Sequence, residues 1–425
     1  MRRNLDFLAR VRRALSTLLL FTTPFFLAVE LSAANAVTDW NTIASTTIVK
    51  NGGKSPGSSS VWFAYSSLAI YDAVNAITGQ YRPFYYKGEG PARASIEAAA
   101  AAAAHRVLVN YFPSQRAALD AQFSTSLAGI VDANARNKGV AVGEAAAMAV
   151  ISARTGDGLE ADVPYVPGSG PGAWIRTPPA FAAPVTPWLG EMRPFVMKAA
   201  SDFLPDAPPS LSSETWKRDY NLTRLYGDVN STLRSANESE IGIFWTEHTG
   251  QQYARAFNYL VDNYQLGTAD SARMMAMLWT GYADAAIACY NAKYKYGFWR
   301  PVTAIPAGGG NSDLAADAAW LPLGATPAHP EYPAAHACIT GAVTPLIADF
   351  FGRTAVHVVV DSTAFTDSVH QHVFEDTRDL MDEVFWARIY AGFHFYHSLE
   401  VGRAMGGSVA GEVSQQHFRP RHGER

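Results

Sequence analysis

The sequence has little cysteine and little charge. Only Cys289 and Cys338 occur among its 425 residues, and charged residues make up 17% of the chain. Two cysteines cannot form the dense disulfide framework that supports small secreted domains. The sequence leaves open whether the two are joined, and we expect them to be small, buried, apolar residues.

The chain also lacks a positive charge excess and, beyond its N-terminus, any long apolar run. Its formal net charge of −4 argues against nucleic acid as the main partner. A site for an anionic substrate must therefore build its positive potential locally. After residue 36 no segment has the roughly 20 consecutive apolar residues of a membrane helix, so we expect no stable membrane insertion.

The first 36 residues have the order of a secretory signal. A basic stretch ends at Arg13, an apolar run follows from Leu18 to Val29, and small residues lead to Ala36. This order predicts removal of residues 1–36 and export to the periplasm or the medium. An uncleaved membrane anchor is the competing interpretation. The shortness of the run and Pro24 within it argue against that interpretation.

Most of the remaining chain has helical patterning. The run Ala98–Ala104 consists of the strongest helix former available. Residues Asp157–Pro209 lack periodicity, and we expect either an ordered excursion that covers or lines a pocket or a plain structural wrap. The pattern predicts an all-α helical bundle in a single domain, residues 37–425, with Ala355–Val360 as the best strand. The predicted helical segments are Val61–Ile77, Pro91–Tyr111, Ser114–Ala135, Gly143–Thr155, Ser213–Tyr226, Ala236–Asn263, Thr268–Tyr296, His336–Phe350, Asp376–Phe395 and Ser398–Gln416.

The first segment that can carry chemistry runs from Lys293 to Pro301. Lys293 and Arg300 are seven positions apart, so on one helix both would face the same way. Pro301 disfavours helical geometry at Arg300, and we expect the helix to end there. Lysine offers a point charge and arginine a planar fork for two oxygens of an anion. Such a pair is usually a solvated face, but the intervening aromatic residues predict burial.

The second segment is His329-Pro-Glu-Tyr-Pro-Ala-Ala-His336. Its two prolines break any helix before Ala334, and an apolar helix then begins. The first backbone N–H groups of a helix, here including that of Ala335, have no internal partner and can hold an anion. His336 would lie beside that anion as an acid or a base. A lone histidine at a helix start is more often structural.

The third segment runs from Arg388 through His394 to Ser398. On one helix, Arg388 and His394 would be nearly two turns apart and Ser398 one turn beyond. A side-chain partner one turn away fixes the tautomer of a histidine. Such a histidine can be a nucleophile towards phosphorus or a ligand to a metal oxyanion. The alternative is a buried helix with no chemical role.

Together, Lys-x6-Arg-Pro, Pro-x-x-His and Arg-x5-His resemble the three-part signature of the superfamily that joins vanadium-dependent haloperoxidases with type 2 phosphatidic acid phosphatases. Other stretches are similar to the bacterial haloperoxidase-like branch: Val37–Asn41, Tyr71–Ile77, Pro171–Phe181, Phe203–Pro205 and Phe244–Trp245. The resemblance implies the helical fold of the acid phosphatase and vanadium haloperoxidase type, with an oxyanion site within residues 285–405.

The resemblance also implies roles. Vanadate, or phosphate, would be bound by Lys293, Arg300, the Ala335 N–H and Arg388. His336 would be the acid–base residue, and Lys293 would also help to activate peroxide. His394 would be the axial ligand to vanadium, or the nucleophile that becomes phosphorylated.

Three functions are compatible with these roles. The first is a vanadate-dependent peroxidase that oxidises halide with hydrogen peroxide. The second is an acid phosphatase that acts on phosphomonoesters through a phospho-histidine. The third is a non-catalytic exported protein that keeps the fold.

The chain departs from the family pattern at three supporting positions. Ala334 and Ala387 replace serines, and Ser398 replaces the aspartate expected four residues after the histidine. Losses of such supporting groups often cost ~10–100-fold in affinity or activity, so we expect weakened or altered activity. Glu400 or His397 could compensate for the missing carboxylate. Separately, His370, His372 and Glu375 form a weak pattern for a metal site.

Overall fold

The computed structural model of the protein describes residues 35–421. The predicted signal segment therefore lies outside the described residues, apart from Asn35 and Ala36. The described residues fall in one compact unit. Within residues 35–421, no helix is both long enough and apolar enough to cross a membrane.

The fold is helical, as predicted, with 57% of residues 35–421 in helices of all types. Between residues 35 and 421 the α-helices are α1 Ala36–Ser45, α2 Pro56–Thr78, α3 Ile96–Tyr111, α4 Arg116–Ala128, α5 Ala133–Ala153, α6 Glu214–Tyr226, α7 Ala236–Phe244, α8 Thr249–Asn263, α9 Thr268–Tyr296, α10 Pro301–Ala304, α11 Ala335–Phe351, α12 Thr377–Tyr390 and α13 Tyr396–Gln416. Strands β1 Val358–Ser362 and β2 His370–Phe374 form an antiparallel pair in which Val360 lies opposite His372.

Two predicted helices are each divided in the structure. The segment 114–135 breaks after Ala128, because Asp132 accepts the N–H groups of Asn134 and Ala135 and so begins α5. The segment 236–263 breaks at His248, whose extended backbone precedes α8. In contrast, α9 has the predicted bounds.

Helix α9 is the centre of the bundle. It packs against α2, α11 and α13, and nearly every residue from Ser271 to Ala292 is buried. On the N-terminal side, α3 packs against α5 through its alanine run. A Cβ on Gly143 would lie 2.3 Å from the carbonyl oxygen of Ala99, so this approach requires glycine. Small residues thus set how close the helices lie.

Helices α11, α12 and α13 form the C-terminal group and position the third of the chain in which the sequence predicts the site. Helix α11 packs against both α12 and α13. The Ala334 N–H donates to the Ser398 carbonyl at 3.1 Å, which ties the start of α11 to the first turn of α13.

Candidate oxyanion site

Lys293 lies in the last turn of α9 and is fully buried. Its Nζ donates to the carbonyl oxygens of Pro330 and Glu331, at 3.0 and 2.9 Å. An ammonium group has three donors, so one N–H remains for a ligand. Burial lowers the pKa of Lys293 to about 8, and the nearby Arg300 guanidinium acts in the same direction.

Arg300 lies beyond the end of α9, in extended backbone. The periodicity predicts a helix that ends at Tyr296, but the argument from Pro301 carried that helix on to Arg300. The second expectation was wrong, because Gly297 adopts a left-handed conformation with φ +54° and ends the helix at Tyr296. The predicted position of Arg300 at a helix-to-loop junction is confirmed. The excursion 157–209 holds this segment: the Trp299 N–H donates to the Gly172 carbonyl at 3.0 Å.

The Arg300 guanidinium is fully buried and aligned by four groups. Its Nε donates to the His329 carbonyl at 2.9 Å, and Nη2 lies 3.0 Å from His329 Nδ1. Its Nη1 donates to the Phe393 carbonyl at 2.9 Å and lies 3.1 Å from His394 Nε2. Burial lowers the pKa of Arg300 to about 10. This contact set joins all three segments.

The start of α11 presents a backbone donor and an imidazole. Ala335 is the first residue of α11, so its N–H has no partner within the helix. His336 follows it, and its Nε2 has no hydrogen-bond partner among residues 35–421. Burial, and then the charges of Arg388, Arg300 and Lys293, hold the pKa of His336 well below its ordinary value. All three predicted cations thus act on this ring.

Arg388 and His394 do not share a helix, contrary to the expectation. Helix α12 ends at Tyr390, and Gly392, with φ +73°, turns the chain so that His394 lies in the connection to α13. Arg388 is buried and donates to the Trp245 carbonyl at 2.6 Å, while its Nε has no partner among the described residues. Burial lowers the pKa of Arg388 to about 9.

Glu331 is the site residue that sequence reasoning missed. Its Oε1 lies 2.8 Å from His394 Nδ1, and neither residue is more than 1% exposed. Burial raises the pKa of Glu331 to about 7, against the opposing effect of Lys293 and Arg300. A glutamate in the otherwise apolar Pro330–Ala334 stretch was the available signal. The carboxylate expected at Ser398 therefore comes from the second segment.

The proposed replacements for that carboxylate do not reach His394. His397 Nδ1 is 3.9 Å from Glu400 Oε2, so these two face each other. Ser398 is buried, and its hydroxyl has no partner of good geometry in the part of the chain described. Ala334 precedes α11 without a side-chain cap, as its sequence requires.

The cluster has an excess of buried positive charge. The cations are Lys293, Arg300 and Arg388, and Glu331 is the only carboxylate that shifts any of their pKa values within residues 35–421. Burying unpaired cations is costly unless an anion compensates. The unpartnered Arg388 Nε and the free Ala335 N–H are donors suited to anion oxygens. The residues present therefore fit vanadate or phosphate.

A cavity of about 190 Å³ lies against this cluster. Its walls come from the N-terminal bundle, the excursion 157–209, α9 and the second and third segments, through Ser55, Pro56, Gly57, Val185, Thr249, Tyr290, Pro327, Ala328, His329, Ala335, His336, Ile339, Arg388 and His394. The expectation that the excursion lines a pocket holds at Val185.

The cysteines and the second histidine group are not among the residues that would bind the oxyanion. Cys289 and Cys338 are free and buried, as expected. His370 and His372 both contact Glu240, whereas Glu375 contacts His357, so the suggested His370–His372–Glu375 set does not assemble. No group of three or more possible ligands for a metal ion is found among residues 35–421.

Comparisons with known proteins show what the chain is similar to in sequence and in fold. Residues 273–423 match the family model of the VCPO second helical-bundle domain. Vanadium chloroperoxidase of Curvularia inaequalis is 27% identical over 149 residues, which cover 29% of this chain. The match spans only 24% of that relative's length.

Solved structures extend the likeness to most of the chain. A bacterial vanadium-dependent iodoperoxidase superposes with a TM-score of 0.77 at 21% identity, covering 92% of this chain and 97% of the other. A holo-type bacterial vanadium-dependent chloroperoxidase gives a TM-score of 0.69 at 18% identity, covering 88% and 94%. The chain is therefore vanadium haloperoxidase-like: it has the helical fold of these proteins, and residues 273–423 correspond to their second helical-bundle domain.

Proposed function

We propose that this protein is a vanadate-dependent peroxidase that oxidises halide with hydrogen peroxide. The observation that carries the proposal is the buried excess of positive charge in front of the His394 imidazole. Vanadate would be held at its oxygens by Lys293, Arg300, Arg388 and the Ala335 N–H, and at its vanadium by His394 Nε2. Vanadate bound there supplies the chemistry that activates hydrogen peroxide for attack by halide.

His336 is placed to move a proton at its Nε2. The depressed pKa keeps the ring neutral near pH 7, and its unpartnered Nε2 can accept a proton from hydrogen peroxide. A bound anion offsets the nearby cations and so raises the pKa of His336, which makes it a better base. Lys293 keeps one N–H for the oxygen that becomes more negative during the reaction.

The size of the cavity favours small reactants. Its volume of about 190 Å³ is below that of pockets for drug-sized ligands, which are roughly 300–1,000 Å³. Hydrogen peroxide and halide ions need little room beside a tetrahedral oxyanion. A bulky phosphomonoester would need a larger opening.

An acid phosphatase is the second candidate, and Glu331 is the observation that favours it. The sequence pattern alone indicates that His394 lacks a carboxylate partner, which argues against a phospho-histidine route. Glu331 supplies that partner at 2.8 Å. The pair would make His394 Nε2 a more basic nucleophile towards phosphorus.

The deciding experiment compares two activities on one preparation. Bromide and iodide oxidation by hydrogen peroxide and hydrolysis of a chromogenic phosphate ester are measured with and without orthovanadate. The peroxidase requires halide oxidation that depends on vanadate and disappears in His394→Ala. His357→Ala is the matched control, because that histidine contacts Glu375 and Tyr259 rather than the site.

Phosphate release that vanadate inhibits would replace the peroxidase with the phosphatase. A folded protein inactive in both assays would support the non-catalytic alternative.

We also propose that the protein is exported. Asn35 caps α1 by accepting the Val37 N–H at 3.0 Å, and its Nδ2 donates to Ser271 Oγ at 2.9 Å. These contacts favour a mature chain that keeps Asn35, rather than cleavage after Ala36. N-terminal sequencing of the protein recovered outside the cytoplasm shows whether cleavage occurs before Asn35 or after Ala36.

A further inference from the structure

Glu331 is held in place by hydrogen bonds of both its backbone and its side chain. Its backbone N–H donates to the Phe298 carbonyl at 2.8 Å, and its carbonyl accepts from Lys293 Nζ at 2.9 Å. Its Oε1 accepts the Phe395 N–H at 3.1 Å and faces His394 Nδ1 at 2.8 Å. The residue is therefore held by its backbone and by its Oε1, and its side chain has no exposed surface.

The two neighbours of the His394 ring determine where its proton sits. Arginine can only donate, so Nε2, 3.1 Å from Arg300 Nη1, must present its lone pair. A neutral imidazole then carries its proton on Nδ1. That proton points at Glu331 Oε1, which already accepts the Phe395 N–H and so acts as an acceptor. The arrangement selects one tautomer of His394.

We propose that Glu331 is the positioning residue of the site: by accepting the Nδ1–H of His394 it holds the orientation of the ring, with the Nε2 lone pair on the side of Arg300, where the oxyanion would bind. It takes over the role of the carboxylate that is absent at Ser398. This inference rests on the proposed function in one respect, namely that His394 Nε2 is the atom that meets the anion.

The replacement is built from a different part of the chain. Glu331 lies 63 residues before His394, whereas Ser398 lies four residues after it, in the first turn of α13. The Ser398 hydroxyl is close enough to the Glu331 carboxylate to lower its pKa. The Glu331 Oε2 and the Ser398 Oγ both lack a partner of good geometry among residues 35–421. An aspartate at position 398 would therefore lie beside the space that the Glu331 carboxylate occupies.

The first test reads the tautomer directly, without vanadate. The protein is labelled with ¹⁵N in its histidine rings, and the His394 signals are identified by their loss in His394→Gln. We expect a protonated Nδ1 in the unaltered protein and in Glu331→Gln, whose amide oxygen can still accept. Glu331→Ala keeps Arg300 opposite Nε2 but removes the acceptor of the Nδ1–H, so the Nδ1–H signal should shift and its proton should exchange faster with water. An unchanged Nδ1–H signal in Glu331→Ala would overturn the proposal.

The second test measures orthovanadate affinity by titration calorimetry. Removing such an outer partner typically weakens binding ~10–100-fold, and this is the loss expected for Glu331→Ala. Glu331→Gln should lose less. The double variant Glu331→Ala/Ser398→Asp should recover part of the affinity, which a purely structural role of Glu331 would not allow. Glu375→Ala, at an exposed carboxylate that contacts His357, is the control.

The NMR signal and the vanadate affinity together distinguish the positioning role of Glu331 from the proposed function. If Glu331→Ala changes the Nδ1–H signal but the unaltered protein binds no vanadate, the positioning role stands and the proposed function fails. If vanadate binds equally well to Glu331→Ala and to the unaltered protein, the positioning role fails and the proposed function stands. Should Glu331→Ala not fold, Glu331→Gln and the double variant carry both comparisons.

Discussion

Gly406 of α13 lies against the Cys338 carbonyl of α11, so close that a Cβ on Gly406 would be 2.1 Å from that oxygen. Cys338 is two residues after His336, and the first turn of α11 carries the Ala335 N–H. The approach of the two helices therefore sets the depth at which the start of α11 meets the anion site. A backbone oxygen cannot move aside as a flexible side chain can.

Gly406→Ala should separate α11 from α13. Overpacking of this kind costs about 1–3 kcal/mol in the free energy of unfolding, and the displaced α11 should also weaken orthovanadate binding. Gly407→Ala is a matched control, because nothing lies within 4 Å of a Cβ there. It should be neutral or gain about 0.5–1 kcal/mol from helix propensity. Urea unfolding of both variants checks this, and equal stability would contradict the close-packing argument.

The sequence predicted the helical class, because it follows from local patterns, and the three segments singled out by the resemblance do meet at Arg300. The bounds of α9 follow from its apolar spacing and its terminal Gly297. The burial of Lys293 follows from the aromatic residues around it. What failed were arguments that extended a helix across a glycine: Gly297 and Gly392 both adopt left-handed backbone, and each moves the next functional residue off the helix.

Spacing along the chain could not identify the carboxylate that contacts His394. A search along the chain considers residues one turn away, such as Ser398, His397 and Glu400. The carboxylate that contacts the ring lies 63 positions earlier, and only the tertiary fold brings it there. The same holds for the Trp245 carbonyl that receives Arg388, which comes from the turn between α7 and α8.

His336 and His394 should separate into a proton-transfer role and a binding role. His336→Gln removes the base but no direct anion donor, so the vanadate Kd should stay within a few-fold of its original value. Loss of a general base typically lowers kcat by about 10²–10⁴. His394→Ala should instead abolish binding. Calorimetric titration beside steady-state halide oxidation checks the split, and equal binding loss in both variants would contradict it.

Asp284 should hold part of the excursion 157–209 to the core. Its buried carboxylate accepts the N–H groups of Phe195, Val196 and Met197, at 2.7, 2.8 and 3.2 Å. Asp284→Ala leaves these three donors without an acceptor, and each unsatisfied donor lowers the free energy of unfolding by about 1–3 kcal/mol. The free energy of unfolding should fall by several kcal/mol, and limited proteolysis should cut within 193–205 first.

The control for this change is Asp313→Ala, at a carboxylate that is 63% exposed and contacts Lys217. An exposed ion pair contributes roughly 0–1 kcal/mol, so this variant should unfold almost as the original protein does. Similar losses in the two variants would show that the three N–H contacts do not anchor the excursion.

His372 should stabilise the fold mainly at lower pH. Its ring lies between Glu383, 2.7 Å from Nδ1, and Glu240, 3.0 Å from Nε2, and stacks on Phe244 at 3.8 Å. Burial lowers the pKa of His372, but the two carboxylates outweigh it and the net shift is upward from 6.5. A raised folded-state pKa gives stability that is complete below the unfolded-state pKa and is lost as pH rises through the folded-state value.

His372→Gln should therefore lower the free energy of unfolding more at about pH 6 than at about pH 9, because the stability that comes from the raised pKa is lost as pH rises. Urea unfolding of the two proteins at both pH values measures the difference. The residual loss at high pH reports the stacking on Phe244 and the neutral hydrogen bonds. A loss that is the same at both pH values would show that the ring is not charged between Glu383 and Glu240, because only a charged ring couples this contact to protons.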